Sequence, residues 1–154
     1  MSTNGEKIIA KNRKAGRDYF LEERFEAGIA LRGTEIKSVR ARQVSLNEAY
    51  VKIERGEAWL VNAFIAPYDP ASRFNHDPRR IRKLLLHRRQ IDRLEEKIRQ
   101  RGYTLVPTRM YLKRHRAKLE FALAKGKRKY DKRQDLARKD AQREVERSLA
   151  RRNG

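Results

Sequence analysis

Three observations predict a mainly β fold, a small antiparallel barrel with flanking helices and a basic tail beyond it. Apolar and polar residues alternate strictly along Phe25–Leu31 and again along Leu119–Leu123, the period of a strand with one buried face. Shorter apolar runs of the same character lie between them, separated by turn-forming residues. The third observation is charge. The 154 residues include 40 Lys or Arg and 20 Asp or Glu, and the last thirty carry 12 basic against 5 acidic residues. Tyr130, Leu136, Val145 and Leu149 are the only sizeable apolar side chains there, too few to offset the entropy of ordering the segment. Residues 1–124 are therefore assigned to the barrel and residues 125–154 to a tail that is disordered when free.

In chain order, Tyr19 and Leu21 extend the first alternating strand toward the N-terminus. The strand is then long enough to bend around a small barrel, with Gly28 available for the bend. Thr34 is placed to cap a helix over Glu35–Arg42, with Ile36 and Val39 on one face. Ala49, Val51 and Ile53 mark the next strand, and Glu54-Arg55-Gly56-Glu57 turns it back as a hairpin into Trp59–Ile65. Asp69–Pro78, with Pro70, Ser72, Asn75 and Asp77, is a loop. Arg82–Leu86 is a strand; residues 88–101 then place Ile91, Leu94 and Ile98 at helical spacing before Gly102 ends the helix. Leu105–Leu112 is a strand that Pro107 puts at an edge or a bulge. Closing five or six such strands removes the exposed edges an open sheet would present. The reading is a barrel of oligonucleotide-binding type (OB-like), with an open sheet carrying helices on one face as the alternative.

A formal net charge of +20, shared by barrel and tail, draws the chain to nucleic acid or, less specifically, to an anionic membrane. No cysteine is present, which excludes disulfides and thiolate metal sites and is compatible with a reducing compartment. Ile8-Ile9-Ala10 is too short for a signal-peptide core, and Ala58–Ala66 is far below membrane-spanning length. A cytoplasmic protein is expected. In the tail, Ala137, Ala141, Val145 and Leu149 are spaced by four, as are Lys139, Arg143, Arg147 and Arg151. A helix there would carry a thin apolar stripe and a basic rail. Alone it is marginal in water; docked on RNA, Asp135–Arg152 would span about 27 Å. The stripe lacks the Trp or Phe that membrane insertion needs.

The three histidines, His76, His87 and His115, have no His or carboxylate partner at a spacing that assembles a metal site or a general-base dyad. Ala124-Lys125-Gly126-Lys127 lacks the glycine spacing and the Ser or Thr of a phosphate loop. No catalytic residue, cofactor or metal is expected. Glu22, Glu23 and Glu26 form an acidic group inside a basic protein. A carboxylate that faces RNA repels phosphate, so Glu26 would have to accept hydrogen bonds from base amino or imino groups or ribose hydroxyls. The alternative is a solvated, outward-facing strand residue.

A series of motifs in fixed order carries a family likeness: Asn12-Arg13-Lys14-Ala15, Asp18-Tyr19-Phe20-Leu21-Glu22-Glu23, Phe25-Glu26-Ala27-Gly28-Ile29, Gly33-Thr34-Glu35-Ile36-Lys37-Ser38, Arg82-Lys83-Leu84-Leu85-Leu86, and Ala124-Lys125-Gly126-Lys127 through Tyr130-Asp131-Lys132-Arg133. Over about residues 8–133 the chain resembles the small protein B family, the bacterial SsrA-binding (tmRNA-binding) proteins. The resemblance implies an OB-like barrel and a non-enzymatic role in trans-translation, the rescue of stalled 70S ribosomes. It implies a body that binds the tRNA-like domain of tmRNA and supports its delivery. It also implies a tail that enters the vacant decoding site and mRNA channel, helical on the ribosome. The RNA-facing set carried over is Asn12, Arg13, Glu26, Leu85 and Lys118. Asn12 and Glu26 suit bases or ribose, Leu85 suits an unstacked base or sugar, and Lys118 suits phosphate. Tyr130, Asp131, Lys132 and Arg133 match the segment that meets small-subunit rRNA. Elongation factor Tu and alanyl-tRNA synthetase are implied as indirect partners.

Two departures stand out. Arg17 occupies the place where many members have His, and Arg114-His115-Arg116-Ala117 replaces the usual glycine or other turn former. The rival reading is an rRNA-binding OB protein of ribosomal or initiation-factor-like type, which shares barrel and charge without tmRNA.

Overall fold

A computed structural model describes residues 6–68 and 75–127. The elements run β1 (Glu6–Lys11), α1 (Arg13–Asp18), β2 (Tyr19–Ile29), α2 (Gly33–Arg40), β3 (Val44–Ser45), β4 (Tyr50–Glu54), β5 (Glu57–Val61), β6 (Phe64–Ile65), β7 (Arg82–Leu85), α3 (Arg88–Arg101), β8 (Thr104–Lys113) and β9 (Arg116–Gly126). Antiparallel pairing runs β8-β4-β5-β7-β2-β9 and returns to β8, so the sheet closes on itself, and β1 adds to β8 outside the ring. The ring is thinnest between β4 and β8, which meet at Val51 and Leu105, and between β7 and β2, which meet at Gly28–Leu85 and Ile29–Leu84. The closed form decides against the open sheet. Ala27 and Ile29 from β2, Leu105 and Met110 from β8, and Leu119, Phe121 and Leu123 from β9 fill the interior. Phe25 and Phe121 stack across the β2–β9 pair at 5.6 Å between centroids, and Val39 of α2 and Leu94 of α3 reach the same core.

Most of these elements follow the alternation. Pro107 sits at a bulge in the β8–β9 pairing, between Pro107 and Arg109, where its missing N–H costs no ladder bond. Gly102 ends α3 in the left-handed conformation, φ 66°. The β4–β5 hairpin turns at Arg55 and Gly56, φ 53° and 74°, the pair of positive values that matches the twist of adjoining strands.

Some local readings are corrected. The irregularity in β2 lies between Leu21 and Arg24, not at Gly28. Helix α2 starts at Gly33, and the Arg32 N–H donates to Glu35 Oε1 at 2.8 Å. Thr34 thus lies inside the first turn, its hydroxyl 2.9 Å from His76 Nδ1. Trp59–Ile65 is split by Asn62, whose φ of 63° breaks the strand, and Phe64–Ile65 pairs with Val44–Ser45 instead. Strand β1 and helix α1 were not anticipated, because Glu6–Lys11 does not alternate and α1 has Ala15 as its one apolar residue. Ala15 packs on Val106 and Ala124, so α1 covers the outer face at this end and β9 is buried on both sides there.

One corner is held by charge. Glu35 of α2 and Arg82 of β7 are fully buried, with Arg82 Nε 2.6 Å from Glu35 Oε2 and Arg80 Nη2 2.5 Å from Oε1. Arg82 also donates to the Ala63 carbonyl at 2.6 Å and the Pro78 carbonyl at 3.1 Å. Burial pushes the Glu35 carboxyl up, but hydrogen bonds from Arg80, the Arg32 N–H and Arg82 outweigh it and hold it below its ordinary value. His76 completes the corner as a buried packing residue. The Ile65 carbonyl can only accept, so His76 Nε2–H donates to it at 2.9 Å, while Nδ1 shares a hydrogen bond with the Thr34 hydroxyl.

Candidate nucleic-acid interface

The outward side chains of β7, β2, β9 and β8 form two adjacent rows set by strand register. Gly28 lies opposite Leu85 on one side and Lys118 on the other, and Lys118 faces Tyr111, so the first row is Leu85, Gly28, Lys118, Tyr111. Glu26 lies opposite Glu120, which faces Arg109, which faces Lys11 of β1, giving the second row. Asn12 and Arg13 follow Lys11 directly. Asn12, Arg13, Glu26, Leu85 and Lys118, the body residues singled out from the sequence, therefore share one surface.

Each is held differently. Leu85 is 56% exposed. It lies over the missing side chain of Gly28, where an added Cβ would stand 3.4 Å from Leu85 Cβ and Cδ1. Lys118 has no carboxylate partner among the described residues. Glu26 accepts the hydroxyl of Tyr111 and lies 3.9 Å from Lys113 Nζ. Burial, then the hydrogen bond to Glu26, pushes the Tyr111 phenol far above its ordinary value, so it remains a donor. Both contacts fall on Oε2 of the Glu26 carboxylate. Glu120 is pushed up by burial, but the Thr108 hydroxyl at 2.5 Å and the charges of Arg109 and Arg24 hold it below its ordinary value. Two carboxylates opposite each other would repel; Tyr111, Lys113, Arg109 and Arg24 separate and offset them. The Arg109 guanidinium also lies 4.7 Å over the Tyr111 ring.

Asn12 supplies the most pointed geometry. The Pro107 bulge turns two carbonyls toward it, and Asn12 donates its backbone N–H to Thr108 O at 2.7 Å and Nδ2 to Pro107 O at 2.8 Å. Its Oδ1 is buried and without a partner in the structure. A buried acceptor left unpaired costs free energy until a donor reaches it. Asn12 itself lines a cavity of about 480 Å³ with Arg13, Arg24, Thr108, Arg109 and Glu120.

The acidic group read from the sequence divides. At the β2 irregularity Glu22 accepts the Tyr103 hydroxyl at 2.5 Å, and Glu23 pairs with Lys97 at 2.7 Å and Arg93 at 3.2 Å. The Lys97 hydrogen bond holds the Glu23 carboxyl low against slight burial, with the charge of Arg93 assisting. Glu23 fastens α3 and Glu22 the segment that follows it, and of the three Glu26 alone joins the outer rows. Arg109 and Glu120 were missed, although their alternation with Met110 and Leu119 put them on the outer face; Tyr111 points the same way but is only 2% exposed, with Arg109 over its ring. Tyr130, Asp131, Lys132, Arg133, Lys139, Arg143, Arg147 and Arg151 lie outside the described residues. Among the described residues, no three His, Cys, Asp or Glu side chains group as a metal site, and no helix is long and apolar enough to cross a membrane.

Comparison with known proteins bears on the chain as a whole. The family model described as SmpB protein matches residues 9–151. The chain belongs to the SmpB family. It is 57% identical over 145 residues to the SsrA-binding protein of Roseiflexus sp. (strain RS-1), covering 94% of this chain and 92% of that one. To the SsrA-binding protein of Carboxydothermus hydrogenoformans it is 55% identical over 144 residues, covering 94% and 97%. A chain in a solved structure described as "tmRNA-SmpB: a journey to the center of the bacterial ribosome" aligns with TM-score 0.64 and 49% identity, over 76% of this chain and 82% of that one. SmpB membership and the closed barrel thus agree with the likeness read from the motifs.

Proposed function

We propose that the chain binds tmRNA and acts with it in trans-translation on the bacterial ribosome, its barrel engaging the tRNA-like domain. The observation that carries this reading is the shared surface of Asn12, Glu26, Leu85 and Lys118, with its buried, unpartnered Asn12 Oδ1. Leu85 offers an apolar seat for an unstacked base or sugar, and Lys118, unpaired among the described residues, a cation for phosphate. Asn12 and Glu26 offer acceptors for base or ribose donors. A surface that mixes acceptors with cations reads RNA shape, whereas one made of cations alone grips any polyanion. The chain acts as a binding protein rather than an enzyme, in the cytoplasm where ribosomes work.

The tail, with Tyr130, Asp131, Lys132 and Arg133 at its start and the rail of Lys139, Arg143, Arg147 and Arg151, belongs in the empty decoding site and mRNA channel. Elongation factor Tu and alanyl-tRNA synthetase act on the same RNA. Titrating the tRNA-like domain against the full chain at about 150 mM salt with excess bulk tRNA tests the reading, because non-specific cationic binding collapses under such competition. Tight, competitor-resistant binding is expected. Binding erased by bulk tRNA would return the chain to the rRNA-binding alternative. Truncation after Gly126 should leave this affinity largely intact and abolish rescue of stalled ribosomes.

A further inference from the structure

The two principal hairpins of the barrel are built differently. The β4–β5 turn has Gly56 in its second left-handed position, as such turns favour. The β8–β9 turn puts Arg114 and His115 there, at φ 51° and 68°, conformations that side chains with a Cβ adopt at a cost. The hairpin twist calls for the two positive angles, but no side-chain contact offsets their cost at residues with a Cβ: both side chains are exposed, and neither has a hydrogen bond or ion pair among the described residues. Strain that packing does not explain clusters at binding sites. The position agrees, because His115 borders a cavity of about 360 Å³ with Gly28, Leu85, Leu112 and Lys118, at the lower end of the range that holds small planar ligands.

We infer that the β8–β9 hairpin tip is a further RNA contact of this chain, in which His115 stacks on an unpaired base at the mouth of this cavity and Arg114 and Arg116 hold the flanking phosphates. The inference rests on the tmRNA reading and extends its first row by one turn. Imidazole and guanidinium planes both stack on bases, and Lys113, Arg114, Arg116 and Lys118 give the rim the matching charge.

The double variant Arg114→Asn, His115→Gly installs a relaxed turn and removes both side chains. It is expected to raise the thermal midpoint by about 2–5 °C and to weaken the complex with the tRNA-like domain at least fivefold. His115→Gly alone should weaken it about threefold with the salt slope unchanged, since no phosphate contact is removed. Arg55→Asn in the other hairpin, which deletes one cation elsewhere, should leave affinity unchanged. If the double variant binds as tightly as the unaltered chain, or if Arg55→Asn weakens binding equally, the hairpin assignment fails. Failure of the unaltered chain to bind under tRNA competition would instead overturn the tmRNA reading.

Discussion

The α2–β7 corner and the outer rows use the same chemistry, carboxylates facing guanidinium or ammonium groups, in opposite surroundings. At the corner Glu35 and Arg82 are wholly dry, and each terminal nitrogen of Arg82 reaches a backbone carbonyl. In the outer rows Arg24 is half exposed beside Glu120, Lys113 stands 3.9 Å from Glu26, and Lys118 is unpaired among the described residues. Dry pairs demand complete satisfaction and are costly to break; wet pairs contribute little to folding and stay available to a ligand. The same charges serve as internal fasteners in one region and as a recognition surface in the other.

Breaking the dry pair should give the largest effect. Glu35→Gln leaves Arg82 and Arg80 facing a neutral amide and is expected to cost about 3–5 kcal/mol in urea unfolding at pH 7. The sign of the pH dependence follows from the direction of the shift. The folded carboxyl titrates below its ordinary value of 4.5, so its contribution is present above that value and is lost as pH falls through the lower, folded one. The stability gap between the parent chain and Glu35→Gln should therefore be constant at neutral pH and close on acidification below about 4.5. A gap that is small at pH 7, or that widens in acid, would show that the pair does not fasten the corner.

Glu26 and Tyr111 sharpen the other side of the comparison. Glu26→Ala is expected to weaken the tRNA-like-domain complex about tenfold to a hundredfold, the usual cost of hydrogen bonds to a charged group, with little change in salt slope. Tyr111→Phe keeps the carboxylate and removes its orienting donor. It should weaken the complex by a smaller factor and cost about 1 kcal/mol of stability. If Tyr111→Phe harms binding more than Glu26→Ala, the Glu26 carboxylate is not the group that meets RNA.

The sequence made the barrel legible because alternation records which face of a strand is buried. Phe25–Leu31, Leu119–Leu123, the Arg55-Gly56 turn and the Gly102 stop each carry their signal within a few residues. What it hid depends on distant partners. Helix α1 exists because Ala15 meets Val106 and Ala124. Glu35 looked like an ordinary first-turn acid until β7 brought Arg82 against it. At the candidate site the family likeness singled out Asn12, Glu26, Leu85 and Lys118, while register was needed to show that they adjoin. Register also separated Glu26 from Glu22 and Glu23, which a shared stretch of sequence had grouped.

Lys118→Ala addresses charge alone. Losing one phosphate contact should lower the slope of log affinity against log salt by about 0.7–0.9 and weaken binding about fivefold near 150 mM salt. Equal salt slopes for Lys118→Ala and Glu26→Ala would refute the division between phosphate and base or ribose contacts.

The smallest effect is expected at Arg24, whose guanidinium lies 3.1 Å from Glu120 with 54% of its side chain exposed. Arg24→Ala should change unfolding free energy by no more than about 1 kcal/mol, because an exposed pair gains little over water and is screened by salt. Glu120 keeps the Thr108 hydroxyl and Arg109, so its carboxylate stays satisfied. If Arg24 serves only to offset Glu120, RNA affinity and its salt slope will match those of the parent chain. Bordering the Asn12 cavity, it has the reach to hold phosphate as well. A slope lowered by nearly one unit, with stability unchanged, would place Arg24 beside Lys118 as a second phosphate contact and move the edge of the recognition surface toward α1.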